Sequence, residues 1–245
     1  MISDPLFWLL ACLAVISLGL SKGGFAGAGM IATPLVSLWM PPLQAAALLL
    51  PVQIVQDVLS MIMFRRTYSG WNLKVMLPGA LVGVGLAWVF AAHVSDNFIR
   101  LMLGPVSIAF VLHAWFAPAP ATEQPPTARA GLFWGSCAAF TSAICQAGNP
   151  PFQGFVLRQN LDKMTYVGTF VIFFGVVNAL KVIPYFAQNF AATLILIPVA
   201  TAANYFGVWL VKRTPTVLFY RIAHILVFIV SLELVRAGAL GLLRH

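Results

Sequence analysis

Leu43-Gln44-Ala45-Ala46-Ala47-Leu48-Leu49-Leu50-Pro51-Val52-Gln53-Ile54-Val55-Gln56-Asp57-Val58-Leu59-Ser60-Met61-Ile62-Met63-Phe64 is followed at once by Arg65-Arg66. As a helix this stretch covers about 33 Å, enough to cross a hydrocarbon core of roughly 30 Å. It reads as a membrane span stopped by cations. Gln53, Gln56, Asp57 and Ser60 fall at i, i+3, i+4 and i+7, so they form one polar stripe on an apolar helix. Such a stripe cannot face lipid; it faces other helices or water. An ionised Asp57 within the bilayer costs at least about 2.5 kcal/mol, so it must be paired, hydrated or protonated. A proton-carrying, coupling role and a structural hydrogen-bonding role both satisfy that requirement.

The rest of the chain agrees. Of 245 residues 61% are hydrophobic and only 8% charged, with a mean hydropathy of +0.93, whereas soluble domains carry about 25% charged residues. The sequence is expected to form an all-α integral membrane protein, with no length left over for a soluble catalytic domain. Lys and Arg number 14 against 6 Asp and Glu; in a membrane protein this excess belongs to cytoplasmic loops rather than to nucleic-acid binding. Cys12, Cys137 and Cys145 lie in apolar stretches without metal-ligand spacing, and read as packed side chains. The histidines gather no carboxylates, no nucleophile elbow occurs, and no cofactor is expected, so an enzyme is a poor reading.

Apolar runs and their breaks place segments near 6–20, 26–39, 43–64, 75–92, 98–116, 131–145, 147–157, 165–186, 190–211 and 218–243. Eight are long enough to span. The runs at 26–39 and 147–157 are short and broken by Gly and Pro, so they read as half-helices or re-entrant arms. If the loop carrying Arg65, Arg66 and Lys74 is cytoplasmic, ten of the fourteen cations fall on that side. Both termini are then outside, with a retained first helix, in a multi-pass protein of a bacterial inner membrane. Trp8, Trp39, Trp71 and Trp115, near segment ends, suit interfacial anchors.

The Pro-rich stretch 118–129 separates a first half, 1–117, from a second, 130–245, as a cytoplasmic linker. Laying one half on the other at an offset near 120 matches Gly29 with Gly148, Pro78 with Pro198 and Arg100 with Arg221. Five segments per half put the second copy in the opposite sense, which is the arrangement of two inverted-topology repeats. In that design the short interrupted segments mark the substrate site. Here they are Ser21-Lys22-Gly23-Gly24-Phe25-Ala26-Gly27-Ala28-Gly29 and Gln146-Ala147-Gly148-Asn149-Pro150-Pro151. Gly27, Gly29, Gln146, Gly148 and Asn149 are therefore candidate anion contacts through backbone N–H groups and half-helix termini; the alternative is that the glycines only permit close packing. Gln53, Gln56, Thr169, Asn178 and Lys181 are the polar residues expected to complete the site. Lys181 either draws an anion inward or snorkels to the outer interface, and Lys22 either guides the anion at the inner mouth or is an ordinary interfacial cation.

These motifs together resemble the TauE/SafE sulfite exporter family. The first half matches through Ser21 to Gly29, Pro34, Pro42 to Ala46, Leu50-Pro51 and Asp57, and the second through Ala147 to Pro151, Gly168-Thr169, Asn178, Lys181 and Pro184-Tyr185. The resemblance implies a small secondary transporter of two related halves. It implies a small sulfur-containing anion as substrate (sulfite, sulfoacetate or another organosulfonate), generally moved outward. The bilayer, a coupling proton or cation and a second copy of the chain as a homodimer complete the expected partners. A non-transporting membrane scaffold and a passive anion channel are the competing readings.

Overall fold

The computed structural model describes residues 5–22, 28–116, 126–159, 161–185, 191–213, 225, 228–229, 232, 235–236 and 238–241. No β-strand occurs among them. The helices are α1 (Pro5–Lys22), α2 (Ala32–Ser37) entered through a 3₁₀ turn (Ala28–Ile31), α3 (Pro42–Phe64), α4 (Gly70–Ala91) and α5 (Asp96–Phe116). The second half supplies α6 (Ala128–Cys145), α7 (Asn149–Val156) with a 3₁₀ turn (Leu157–Gln159), α8 (Lys163–Tyr185) and α9 (Ala191–Arg213). Described residues between 225 and 241 are also helical. Among the described residues four stretches are long and apolar enough to cross a bilayer: Pro5–Lys22, Gln44–Phe64, Gly70–Ala91 and Lys163–Val182. Ala28–Ser37 has ten residues, about 15 Å of helix, and α7 has eight. Neither can cross by itself. Most of the linker, 118–125, lies outside the described residues, and its last two positions, Ala128 and Arg129, already belong to α6.

Local chemistry sets the boundaries. Pro42 opens α3, where a missing N–H costs nothing. Ser69 caps α4 by accepting from the Asn72 N–H, Thr127 caps α6 by accepting from Ala130, and the Asp162 carboxylate caps α8 by accepting from Met164 and Thr165. α6 ends at Gln146, the one described non-glycine residue with positive φ (54°). That left-handed cap turns the chain from α6 into α7.

The packing is that of a protein in lipid. Leu6, Leu9, Leu13 and Ile16 form an exposed apolar stripe on α1, as do Val58 and Ile62 on α3. The polar side chains Gln53, Gln56, Asp57, Ser60, Asn178, Lys181 and Asn204 are buried. Small residues then let helices meet backbone to backbone. On α4, Gly79 faces the carbonyl of Leu132 and Gly83 that of Ser136, while Gly135 on α6 faces the carbonyl of Met76. The two contact points advance together along both chains, so α4 and α6 run parallel. α1 and α9 repeat this arrangement: a Cβ at Gly19 would fall 2.7 Å from the Ala203 backbone, and Gln56 bridges Val15 and Ala200 one turn earlier. Between these pairs α3 and α8 run antiparallel, with Gly168 against Thr67 at one end and Gly175 against Met61 nearer the centre.

Candidate functional site

Where α1, α3, α6 and α8 converge there is a cavity of about 50 Å³. At 10–15 Å³ for each water-sized centre, it holds roughly four. The first half lines it with Leu18, Ser21, Lys22, Gly29, Met30 and Gln53; the second lines it with Ser142, Gln146, Gly148, Asn149, Phe170, Phe174 and Asn178. Both interrupted motifs therefore reach one space. Gly27 lies outside the described residues.

Lys22 is buried rather than interfacial. Its Nζ lies 2.5 Å from Asp57 Oδ1, in a pair whose side chains are 6% and 4% exposed. The other carboxylate oxygen, Oδ2, accepts from Asn178 Nδ2 at 2.6 Å. The same ammonium stands 5.9 and 6.0 Å from the ring centres of Phe170 and Phe174, within cation–π range. Those rings belong to a cluster around Phe152, whose centroid is 5.5 Å from Phe170 and Phe173 and 5.6 Å from Phe174. The cavity thus has a charged wall backed by an aromatic one.

Lys181 does not snorkel. It is fully buried, and its Nζ donates to the Ser142 carbonyl at 3.3 Å, to Ser142 Oγ at 3.1 Å and to Gln146 Oε1 at 3.2 Å. It sits behind two cavity residues rather than in the cavity wall.

Two buried amides have unmet capacity. Among the described residues Asn149, 5% exposed, has no partner for either Nδ2 or Oδ1, and Gln53, 2% exposed, has none for Nε2. An unmade buried hydrogen bond costs about 1–3 kcal/mol, so these donors favour an oxygen-rich occupant. Side-chain donors matter more here than backbone ones, because Pro150 and Pro151 remove two N–H groups from the first turn of α7 and the Phe152 N–H is taken by the Gly148 carbonyl.

Other residues expected at the site are engaged elsewhere. Gln56 Nε2 donates to the carbonyls of Val15 and Ala200, and Ser60 Oγ donates to Asn204. The polar stripe of α3 therefore divides: Gln53 and Asp57 serve the cavity region, while Gln56 and Ser60 clamp α1 and α9. Thr169 Oγ1 accepts from the Ser69 N–H at 2.8 Å and donates to the Thr165 carbonyl. That pins the α3–α4 turn and leaves Thr169 out of the cavity lining. A Cβ at Gly148 would fall 2.5 Å from the Ala138 carbonyl and 2.5 Å from the Phe174 ring, so close packing alone demands glycine there. Gly29 is looser, with Ser21 at 3.1 Å. Ser142 and the Phe170–Phe174 wall were not anticipated from sequence. Ser142 was findable, since it stands at Ser21 plus 121, the same separation that joins Asp57 to Asn178.

The family model for sulfite exporter TauE/SafE matches residues 10–234 of this chain. The chain belongs to that family. No curated protein and no solved structure matches it. As a TauE/SafE protein it is a membrane transporter of the exporter type, in a family of transporters rather than enzymes. The match runs through both interrupted motifs and the Lys22–Asp57–Asn178 cluster.

Proposed function

We propose that this TauE/SafE chain exports a small sulfur-containing anion by alternating access, binding it in the cavity beside Lys22. The observation that carries the reading is that the buried Asn149 amide and Gln53 Nε2, which have no hydrogen-bond partner among the described residues, share a cavity with a buried ammonium. The small volume supports sulfite, with four heavy atoms, over sulfoacetate in this conformation. Lys22 attracts the charge, Asn149 and Gln53 donate to its oxygens, and the Phe170–Phe174 wall excludes water.

The architecture we attach to this is two inverted-topology repeats, 1–117 and 130–245, joined by the cytoplasmic linker 118–129, with both termini outside the inner membrane. Three packing facts support it. The parallel pairs α4–α6 and α1–α9 correspond under exchange of the halves, α3 and α8 are antiparallel, and Asp57 bonds the residue 121 positions on. A residue that meets its own counterpart lies beside the pseudo-twofold axis, and Asp57 does so. The homodimer remains an expectation of the same reading.

The test is efflux of ³⁵S-sulfite from liposomes holding the purified chain. Asn149→Leu keeps the branched shape and the number of heavy atoms but removes the donor, and is expected to cut flux at least tenfold while the protein stays folded. Undiminished flux from a folded Asn149→Leu protein refutes this site. Absence of any anion flux from the unaltered chain favours the scaffold, and flux without an attainable uphill gradient favours a channel.

A further inference from the structure

The charges around the cavity do not balance. Lys22 and Lys181 bring two ammonium groups and Asp57 one carboxylate, all three buried. Three oxygens surround the Lys181 nitrogen, one for each N–H of an ammonium, and Ser142 and Gln146, which supply them, both line the cavity. From the helices packed on α3, the charged groups that face Asp57 are Lys22 of α1 and Lys181 of α8. α9 brings the uncharged Asn204, and α2, α5 and α6 bring no ionised side chain there among the described residues. With both lysines protonated and Asp57 ionised, the unloaded site holds one unmatched positive charge, which low-dielectric surroundings penalise.

We infer that the cavity loads to electroneutrality, taking either a monoanion while Asp57 stays ionised or a dianion together with one proton on the Asp57 carboxylate. The inference rests on the exporter reading above and adds to it a rule for how many protons travel. In the second case Lys22 turns from Asp57 Oδ1 to the anion, and the freed oxygen takes a proton from water on the loading side. Oδ2 keeps the Asn178 hydrogen bond throughout. On the far side the anion leaves, the proton returns to water and Lys22 re-forms the pair. Each cycle moves one net negative charge whichever anion is carried.

The rule separates substrates that differ in charge. Thiosulfate, a dianion at neutral pH, should move with one proton; methanesulfonate, a monoanion, with none; and sulfite with one proton relative to its dianion. Liposomes with the full chain, an internal pH dye and a clamped membrane potential give the proton count directly from the unaltered protein. Lys181→Met then removes the unmatched charge, so methanesulfonate should gain a proton and thiosulfate flux should fall at least tenfold relative to it. Equal proton counts for thiosulfate and methanesulfonate overturn the inference, as does an unchanged methanesulfonate count in a transporting Lys181→Met protein. If only one of the three anions is carried, a count differing from the value given for it overturns the inference. If the Lys181 variant does not fold, the unaltered protein alone decides. Absence of any anion flux ends the exporter reading and this inference together, whereas flux with the wrong counts ends only the inference.

Discussion

Replacing Lys22 by Met leaves the Asp57 carboxylate buried with Asn178 as its remaining partner, and replacing Asp57 by Asn leaves the Lys22 ammonium over Phe170 and Phe174. Breaking a buried ion pair by removing one member costs about 3–5 kcal/mol. The surviving hydrogen bond or ring contact offsets part of this, since a cation–π contact is worth about 0.5–2 kcal/mol. Each single change should therefore destabilise by about 2–4 kcal/mol. The double variant carries neither orphan charge and loses only polar contacts worth about 1 kcal/mol within a membrane. The two single costs together should then exceed the double cost by about 3–7 kcal/mol. Dodecyl sulfate titration of the four purified proteins, followed by tryptophan fluorescence, measures each unfolding free energy. Additivity within about 0.5 kcal/mol would refute the reasoning, because it would make Lys22 and Asp57 neighbours without an energetic bond.

The glycines of the two motifs should respond differently: Gly148→Ala, which drives a methyl into a carbonyl and the Phe174 ring, should destabilise by about 1–3 kcal/mol, whereas Gly29→Ala, whose nearest described neighbours are the Ser21 and Leu18 side chains, should cost under about 1 kcal/mol in the same titration. Asp162, at the exposed start of α8, is held below the usual carboxylate range by hydrogen bonds from Thr165 and Met164. Its contribution is therefore fully present above the ordinary carboxylate pKa and is lost as pH falls through the depressed value; Asp162→Ala should remove that part of the acid dependence, read from unfolding at pH 7 and pH 3. Cysteines at Tyr68, in the α3–α4 turn, and at Asn189 should react with an impermeant maleimide from opposite faces of sealed vesicles, and labelling from one face would refute the orientation.

Much of this architecture is legible in the residues. The Gly and Pro breaks mark the two short segments, and polar runs such as Arg65-Arg66 and Arg158 to Asp162 mark other divisions, whereas Pro51, Pro78, Pro105 and Pro198 sit inside helices and divide nothing. The stripe of α3 announces that Asp57 is buried, since lipid tolerates it nowhere else. What spacing cannot reveal is which polar residue already has a partner. Gln53 and Gln56 are the same amide on one helix face, yet Gln56 finds two carbonyls on α1 and α9 while Gln53 Nε2 finds none among the described residues. Thr169 and Asn178 both look like site residues, and only the position of Ser69 diverts the first. Gly148 reads equally as a ligand turn or a packing point until the Ala138 carbonyl and Phe174 ring close on it. Phe170 and Phe174 are two of 19 phenylalanines, and nothing local distinguishes a ring under an ammonium from one facing lipid.

The glycine seam between α4 and α6 has a mechanical consequence. Where Gly79, Gly83 and Gly135 press directly on carbonyls of the facing helix, no side chain stands between the backbones to change rotamer and let them slide. α4 and α6 must travel as one body, and α1 with α9, joined at Gly19, as another. Each body takes one helix from before residue 117 and one from after it, so the packed bodies do not coincide with the two halves of the sequence. Severing the chain between residues 117 and 127 would leave both bodies intact, each assembled from two polypeptides. The two halves, made as separate chains in one cell, should therefore find each other and restore a working carrier.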